Sequence, residues 1–93
     1  MEPEAPTLSR LRADLAALDP TQGAQRRALK LVLGWAEYAA MKEGAPFDEG
    51  RVRNLVELAV QQLSDEAELY AGAGDTGTAD ARRRGADALT PYR

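Results

Sequence analysis

The sequence has 93 residues, of which 44% are hydrophobic and 29% are charged, and its formal net charge is −3. A chain of this length forms one domain with a modest core and little room for a deep pocket. Histidine and cysteine are both absent, which excludes disulfides, thiol nucleophiles, imidazole bases and the usual zinc sites. The excess of acids argues against a protein that binds nucleic acids through its overall charge, although a local basic face is compatible with it.

The sequence predicts a cytoplasmic protein without a membrane segment. Its longest apolar run, LVLGWAEYAA, is interrupted by Glu37 and is too short to span a bilayer. The first ten residues, MEPEAPTLSR, are acidic and contain prolines, so they do not form a signal peptide. Ala, Leu, Glu, Arg and Gln dominate the composition, which favours helices over strands.

The first predicted helix follows a flexible tail at residues 1–6. Thr7 or Ser9 is a suitable cap, because a hydroxyl oxygen accepts a hydrogen bond from the first free N–H groups of a helix. Leucines then recur at helical spacing. The helix ends at LDPTQG, since Pro20 disfavours helical backbone at the residue before it.

The second predicted helix runs from about Gln22 to Glu43, with Thr21 available as its cap. It carries two adjacent apolar stripes, which mark it as the central element of the fold. Gly44 ends it. Its narrow exposed face is predicted to contain Arg27, Lys30, Gly34, Glu37 and Met41.

The third predicted helix begins after Asp48, which caps it, and runs to about Ala71. Arg51 occupies the position at which a capping box has Glu, so the box is incomplete. The core stripe of this helix contains Val52, Leu55, Val56, Ala59, Leu63, Ala67 and Tyr70.

A fourth helix is predicted after the corner AGAGD, from about Thr78 to Leu89, with Asp75 or Thr76 as its cap. This helix is weak, because Leu89 alone supplies bulk to its apolar side. Its best face consists of Thr78, Ala81, Gly85 and Ala88.

These elements predict an all-α fold, a small antiparallel bundle of three strong helices and a weaker fourth, with residues 7–93 forming a single domain. Trp35, Tyr38 and Tyr70 lie on or beside the apolar stripes, so core packing is expected for all three. Tyr92 follows the last helix and either fastens the C-terminus to the bundle or is exposed.

The arginine triplet Arg82–Arg84 has two possible roles. If helices three and four form an antiparallel hairpin about residues 73–75, Glu68 faces Arg82 and Glu66 faces Arg84, and the triplet relieves the acids at the end of helix three. Three consecutive arginines span nearly a full turn, so one of them faces water. The alternative is a nucleic-acid contact.

A second basic group, Arg26, Arg27 and Lys30, lies at the start of helix two. Its ordinary role is a solvated face. A phosphate-contacting face is the sharper interpretation, and it needs an aromatic residue or a second basic element nearby.

Catalytic and cofactor sites are not predicted anywhere in the chain. The acids at Asp48–Glu49 and Asp75 are explained by helix starts, and the calcium-loop pattern is missing around Asp65 and Glu66. AGAGD is not a phosphate loop, because it follows a helix and no Lys-Ser/Thr comes after it. An enzyme acting by itself is therefore not expected.

The stretch FDEGRVRNLVELAVQQLSDEAELYAGAGDTGTADARRRGADALTPY resembles the corresponding part of the YqeY-like family, also called GatB/YqeY. Upstream, LSRLRADL and RRALKLVLGWAEY look like the first two helices of that family. The resemblance runs from Leu8 onward and is strongest from Asp48 to Gly74. The residues that carry it are Asp48–Glu49, Gln61–Gln62, Glu66, Tyr70, Ala73–Gly74, Leu89 to Tyr92, Arg26 and Glu37.

The resemblance implies a non-catalytic accessory domain associated with tRNA or with the tRNA-dependent Asp/Glu amidotransferase, a carbon–nitrogen ligase with glutamine as amido donor. Members of the family normally continue into a helical tail that is similar to the C-terminal part of the B subunit of that enzyme and is associated with tRNA contact. This chain stops at Arg93, where that tail would begin, so it is either a natural short form or an excised N-terminal domain. Glutamine hydrolysis belongs to a different subunit.

Two hypotheses about function follow. In the first, the domain acts in translation by touching tRNA or a tRNA-amidating complex, and the contact residues are Arg26, Arg27, Lys30, Arg82, Arg83 and Arg84. In the second, it is a protein-interaction module or a self-associating domain, because the thin Ala/Gly face of helix four buries little and the missing tail would leave apolar surface free. Binding to nucleic acid should weaken steeply with salt, whereas apolar association should not.

Overall fold

The computed structural model describes residues 3–93, and within them the predicted all-α bundle is confirmed. A short 3₁₀ turn, Thr90–Tyr92, follows the last helix. The helices are α1 Pro6–Ala17, α2 Gly23–Glu43, α3 Glu49–Gly72 and α4 Thr76–Leu89.

Helix α1 begins at Pro6, whose fixed backbone angle suits the first helical position. The predicted capping of this helix by Thr7 or Ser9 is wrong. The N–H and the hydroxyl of Thr7 both donate to the carboxylate of Glu49, at the start of α3, so the cap comes from another helix. The side chain of Ala5 is buried, so the packed part of the chain begins before the predicted boundary at residue 7.

Helix α2 starts at Gly23, one residue after the predicted Gln22, and Thr21 does not cap it. The N–H and hydroxyl of Thr21 instead donate to Oδ1 of Asp19, at 2.8 and 2.7 Å, and form a local turn. Gly44 ends the helix as predicted, in the left-handed conformation with φ of 72°.

Side-chain caps set the starts of α3 and α4. Oδ1 of Asp48 accepts a hydrogen bond of 2.9 Å from the N–H of Arg51, which confirms the predicted cap of α3. Oδ1 of Asp75 accepts one of 3.0 Å from the N–H of Thr78, so Asp75 and not Thr76 caps α4.

The core lies where α1, α2, α3 and α4 meet. Helix α4 contributes more to it than its composition indicates, because Ala79 and Leu89 are fully buried. The buried face of α4 differs from the predicted one. Of the predicted members Thr78, Ala81, Gly85 and Ala88, Gly85 is buried and the other three are half-buried. The largest fully buried side chains are Leu11, Val32, Val52, Val56 and Leu89.

The aromatic side chains divide between the core and the surface. Trp35 is half-buried and packs against the core, as predicted. Tyr70 is half-buried but is not part of the core cluster in the described residues, and Tyr38 is 57% exposed, so core packing is not confirmed for Tyr70 and is wrong for Tyr38. Tyr92 fastens the C-terminus to the bundle, which decides between the two alternatives. Within residues 3–93, no helix has both the length and the apolar character needed to cross a membrane.

Candidate nucleic-acid interface

The exposed ridge of α2 carries two of the predicted contact residues, Arg27 and Lys30. They lie one turn apart on α2. The buried residues of this helix recur at helical spacing along one side, and Arg27 and Lys30 lie on the opposite side. Both side chains are exposed. Their charged groups are thus available at the surface.

The three arginines of α4 lie on different sides of the helix, because consecutive residues are about 100° apart around its axis. Arg82 and Arg84 line a groove against α2, whereas Arg83 lies on another side and donates to Asp80 on its own helix, at 3.1 Å. Arg83 therefore pairs within α4 and not across the hairpin with α3.

Arg82 is held by residues of α3, in a register that differs from the prediction. Its Nε donates to Oε1 of Glu66 at 3.0 Å, and its guanidinium lies 5.5 Å from the ring centre of Tyr70. The predicted pairs of Arg82 with Glu68 and of Arg84 with Glu66 are wrong. Residues 66 and 82 are equally distant from Gly74, where the chain reverses, and the predicted pairs assumed a reversal one residue later.

Two adjoining grooves bring these cations together. The first has a volume of about 290 Å³ and lies between α2 and α4. The second has about 350 Å³ and continues toward α3. Both are lined by Arg27, Leu63 and Arg82, while Arg84 borders the first and Lys30 the second. We call this surface the basic groove and define it by the cations that line it, Arg27, Lys30, Arg82 and Arg84.

Small residues form the floor of the basic groove where α2 and α4 approach closely. A Cβ atom placed on Gly85 would lie 3.4 Å from Cβ of Ala28 and 3.5 Å from the carbonyl oxygen of Ala24. Gly85 is thus buried inside the chain, and it does not offer the free Ala/Gly face on which the self-association hypothesis depended. The close packing fixes the cations of α4 relative to those of α2.

The basic groove is electropositive although the whole chain is acidic. Within residues 3–93, no ion pair within 4.0 Å engages Arg27, Lys30 or Arg84. Glu66 is the one acid that lines the groove in the described part of the chain, and Arg82 neutralises it. Three cations are therefore left without a protein counter-ion there.

Arg26 adjoins Lys30, as the sequence predicts, but it also has hydrogen-bond partners within the chain. Its Nη1 donates to the carbonyl oxygens of Leu15 and Leu18, at 3.2 and 3.3 Å, and so satisfies the C-terminal end of α1. Together with Lys30 it borders a further groove of about 530 Å³ between α1 and α2. Its first role is therefore structural.

Most of the remaining ion pairs lie away from the basic groove and join other parts of the chain. Arg12 donates to Glu4 and Glu37, both at 2.7 Å, and these bonds raise the pKa of Arg12. Hydrogen bonds from Arg51 lower the pKa of Glu43, and those from Arg93 lower the pKa of Glu57. These pairs keep several of the acids occupied at a distance from the groove.

Acidic side chains are spread along residues 3–93. No cluster of three or more carboxylates is placed to hold a metal ion in that range. Asp65, which adjoins the paired Glu66, accepts a hydrogen bond of 2.8 Å from Gln61 on its own helix. The cations of the basic groove can hold anions by their charge.

Sequence patterns identified the cations but did not show that they meet. Arg27 and Arg82 are far apart in the chain, and the helical repeat of each helix says nothing about its neighbour. A usable signal was the pair of small residues Ala28 and Gly85, because a close helix crossing requires them.

The chain was also compared with known proteins. Comparison with protein-family models, with curated proteins and with solved structures gave no match. The resemblance to the YqeY-like family stays a prediction.

Proposed function

We propose that this protein is a non-catalytic helical accessory domain that binds RNA through the phosphates of its backbone. The observation that carries the proposal is the basic groove, in which Arg27 and Lys30 of α2 meet Arg82 and Arg84 of α4. Cations from two helices that are far apart in sequence converge on one surface of an otherwise acidic chain. Arginine and lysine are the side chains that bind phosphate best.

The surroundings of these cations favour an anionic ligand. A surface arginine usually forms a weak pair with a nearby acid, and such a pair has to be broken before a phosphate is bound. Arg27, Lys30 and Arg84 have no such acid within 4.0 Å in residues 3–93. Their charge is available to a ligand without that cost.

The resemblance to the YqeY-like family suggests tRNA, alone or within a tRNA-amidating complex, as the RNA. The proposed role is adhesion of the domain to that RNA, while the amide-transfer chemistry stays with other subunits. This assignment agrees with the absence of histidine and cysteine from the sequence.

The test is an NMR titration of the labelled chain with total tRNA at about 50 and about 200 mM salt, a range over which phosphate contacts weaken strongly. We expect amide shifts at residues 27–30 and 81–85 at low salt, and their loss at high salt. A spectrum that stays unchanged at low salt would contradict the proposal.

Adjacent arginines provide a matched control. Arg84→Gln removes a cation of the basic groove, whereas Arg83→Gln removes one that is paired with Asp80 on another side of α4. Both changes lower the net charge equally. We expect Arg84→Gln to reduce the salt dependence of binding by about one counterion and Arg83→Gln to reduce it less. Equal effects would show that overall charge, and not the groove, binds the RNA.

A second candidate function is self-association through the exposed face of α3. Leu58 and Leu69 are 60% and 71% exposed and lie eleven residues apart, which is about three helical turns and so the same face. Sedimentation velocity across a range of protein concentrations tests it, with Leu58→Glu as the variant. A monomer at every concentration would exclude this function.

A further inference from the structure

We infer that the basic groove binds the backbone of double-helical RNA in preference to single strands. The inference rests on the proposed function, and it concerns which form of RNA that surface accepts. It is carried by the contrast between the cations of the groove and the positions of the aromatic side chains.

The aromatic residues lie outside the basic groove. The chain has one Trp, three Tyr and one Phe, and in the described residues 3–93 none of them lines either part of the groove. Phe47 is buried beneath the guanidinium of Arg51, at 3.8 Å, and Tyr92 is buried at the C-terminus. Trp35 packs beside the core.

The two remaining aromatic residues, Tyr38 and Tyr70, do not line the groove either. Tyr38 is exposed, but it lies eight residues beyond Lys30 on α2, which is about 12 Å along the helix. Tyr70 is half-buried, with the guanidinium of Arg82 over its ring. A base entering the groove therefore meets aliphatic side chains and cations.

This composition matters because the two forms of RNA are bound differently. Proteins that hold single strands stack bases on aromatic rings, and each stacked base contributes about 1–3 kcal/mol. Double-helical RNA is recognised by its shape and its phosphates, with little contact to base faces. A groove with cations and without an aromatic ring suits the second form.

The rigidity of the groove points the same way. Its cations project from two helices that touch at Gly85, so the backbone positions of these side chains are fixed relative to one another. A duplex offers phosphates that are already ordered, whereas a single strand loses conformational freedom when it is bound. The match between a fixed set of cations and a fixed set of phosphates lowers the cost of binding for the duplex.

The experiment compares a short RNA duplex with each of its separated strands, at equal salt and by fluorescence anisotropy. We expect the duplex to bind at least about tenfold more tightly, because its phosphates are more densely spaced and are already ordered. Equal or tighter binding of the single strands would overturn the inference. If neither form binds in a salt-dependent manner, the proposed function itself fails.

A second variant tests the reason for the preference. Gln62 is exposed and lines the part of the groove near Lys30, so Gln62→Trp adds a stacking surface there. We expect single-strand affinity to rise at least about fivefold, corresponding to one stacked base, while duplex affinity changes little. An unchanged affinity for single strands would contradict the role given to the missing aromatic ring. Circular dichroism of the variant confirms that it is folded.

Discussion

The hydroxyl of Tyr92 donates a hydrogen bond to the carboxylate of Asp14, 78 residues earlier in the chain. The ring of Tyr92 is buried, and the guanidinium of Arg10 lies 4.9 Å from its centre. Burial, followed by the bond to Asp14, raises the pKa of Tyr92 to about 12. The last turn of the chain is thereby fastened to α1.

Removal of this hydroxyl should destabilise the fold. Tyr92→Phe keeps the ring and loses the bond to Asp14, so we expect the free energy of unfolding to fall by about 1–2 kcal/mol in urea titrations. Asp14→Asn and the double variant complete a cycle that isolates the pair. If the two single changes added without coupling, the bond would have no energetic role.

The same pair predicts a loss of stability in base. The pKa of Tyr92 in the folded chain is about 12, above its ordinary value of 10.0. A raised pKa gives stability that is fully present below pH 10 and is lost as the pH rises toward 12. Tyr92→Phe lacks this component. The difference in free energy of unfolding between the variant and the wild type should therefore shrink as the pH rises from 10 toward 12.

The bond between Thr7 and Glu49 predicts a loss of stability in acid. The hydroxyl of Thr7, and then its N–H at 2.9 Å, donate to Glu49 and lower the pKa of Glu49 below its ordinary value of 4.5. A lowered pKa gives stability that is present above pH 4.5 and is lost as the pH falls through the folded value.

Glu49→Gln measures that contribution. We expect it to reduce the free energy of unfolding by about 1–2 kcal/mol at pH 7, because a charge-assisted bond to buried Thr7 is weakened. The difference from the wild type should shrink below pH 4.5, where Glu49 also loses its charge. Glu68→Gln, at an exposed position of the same helix, serves as the control and should show little difference at either pH.

These contacts show which parts of the structure were predictable from the sequence. Asp48 and Asp75 cap helices within three residues of themselves, and Gly44 ends α2 by its own backbone, so local patterns identify all three. The cap of α1 comes from Glu49, and no local pattern can indicate a partner 42 residues away. Local chemistry was therefore predicted better than contacts between helices.

The candidate site followed the same rule. The sequence identified Arg82 and its acidic partners on α3 but placed the chain reversal one residue too late, which changed the pairing. The pairing across the hairpin depends on how α3 and α4 are rotated about their own axes. Packing against a third helix sets that rotation. Here α2 sets it through the close approach at Gly85.

Adjacent residues of α2 should separate stability from binding. Arg26 donates to two carbonyl oxygens at the end of α1, whereas Arg27 is exposed in the basic groove. We expect Arg26→Ala to lower the free energy of unfolding by about 1–2 kcal/mol, since two carbonyls lose a charged donor. Arg27→Ala should change stability by less than about 0.5 kcal/mol and should reduce RNA affinity. Urea titrations and anisotropy on both variants test the pair, and the reverse result would contradict the division of roles.

Two glycines inside helices differ in the space available for a larger side chain. A Cβ on Gly34 would meet no atom within 4 Å, so Gly34→Ala gains helical propensity at no steric cost. We expect it to raise the free energy of unfolding by about 0.5–1 kcal/mol.

Gly85 lies where α2, α3 and α4 touch, and space there is limited. A Cβ at this position would lie 3.4 Å from Cβ of Ala28 and from Cδ1 of Leu63, which is just contact, so Gly85→Ala should be tolerated. Gly85→Val adds two methyl groups that push the helices apart, and we expect a loss of about 1–3 kcal/mol. Because the same crossing positions Arg82 and Arg84 beside Arg27, Gly85→Val should also weaken RNA binding at temperatures where the variant is fully folded. Unchanged RNA affinity in a folded Gly85→Val variant would show that the spacing of α2 and α4 does not matter to the groove.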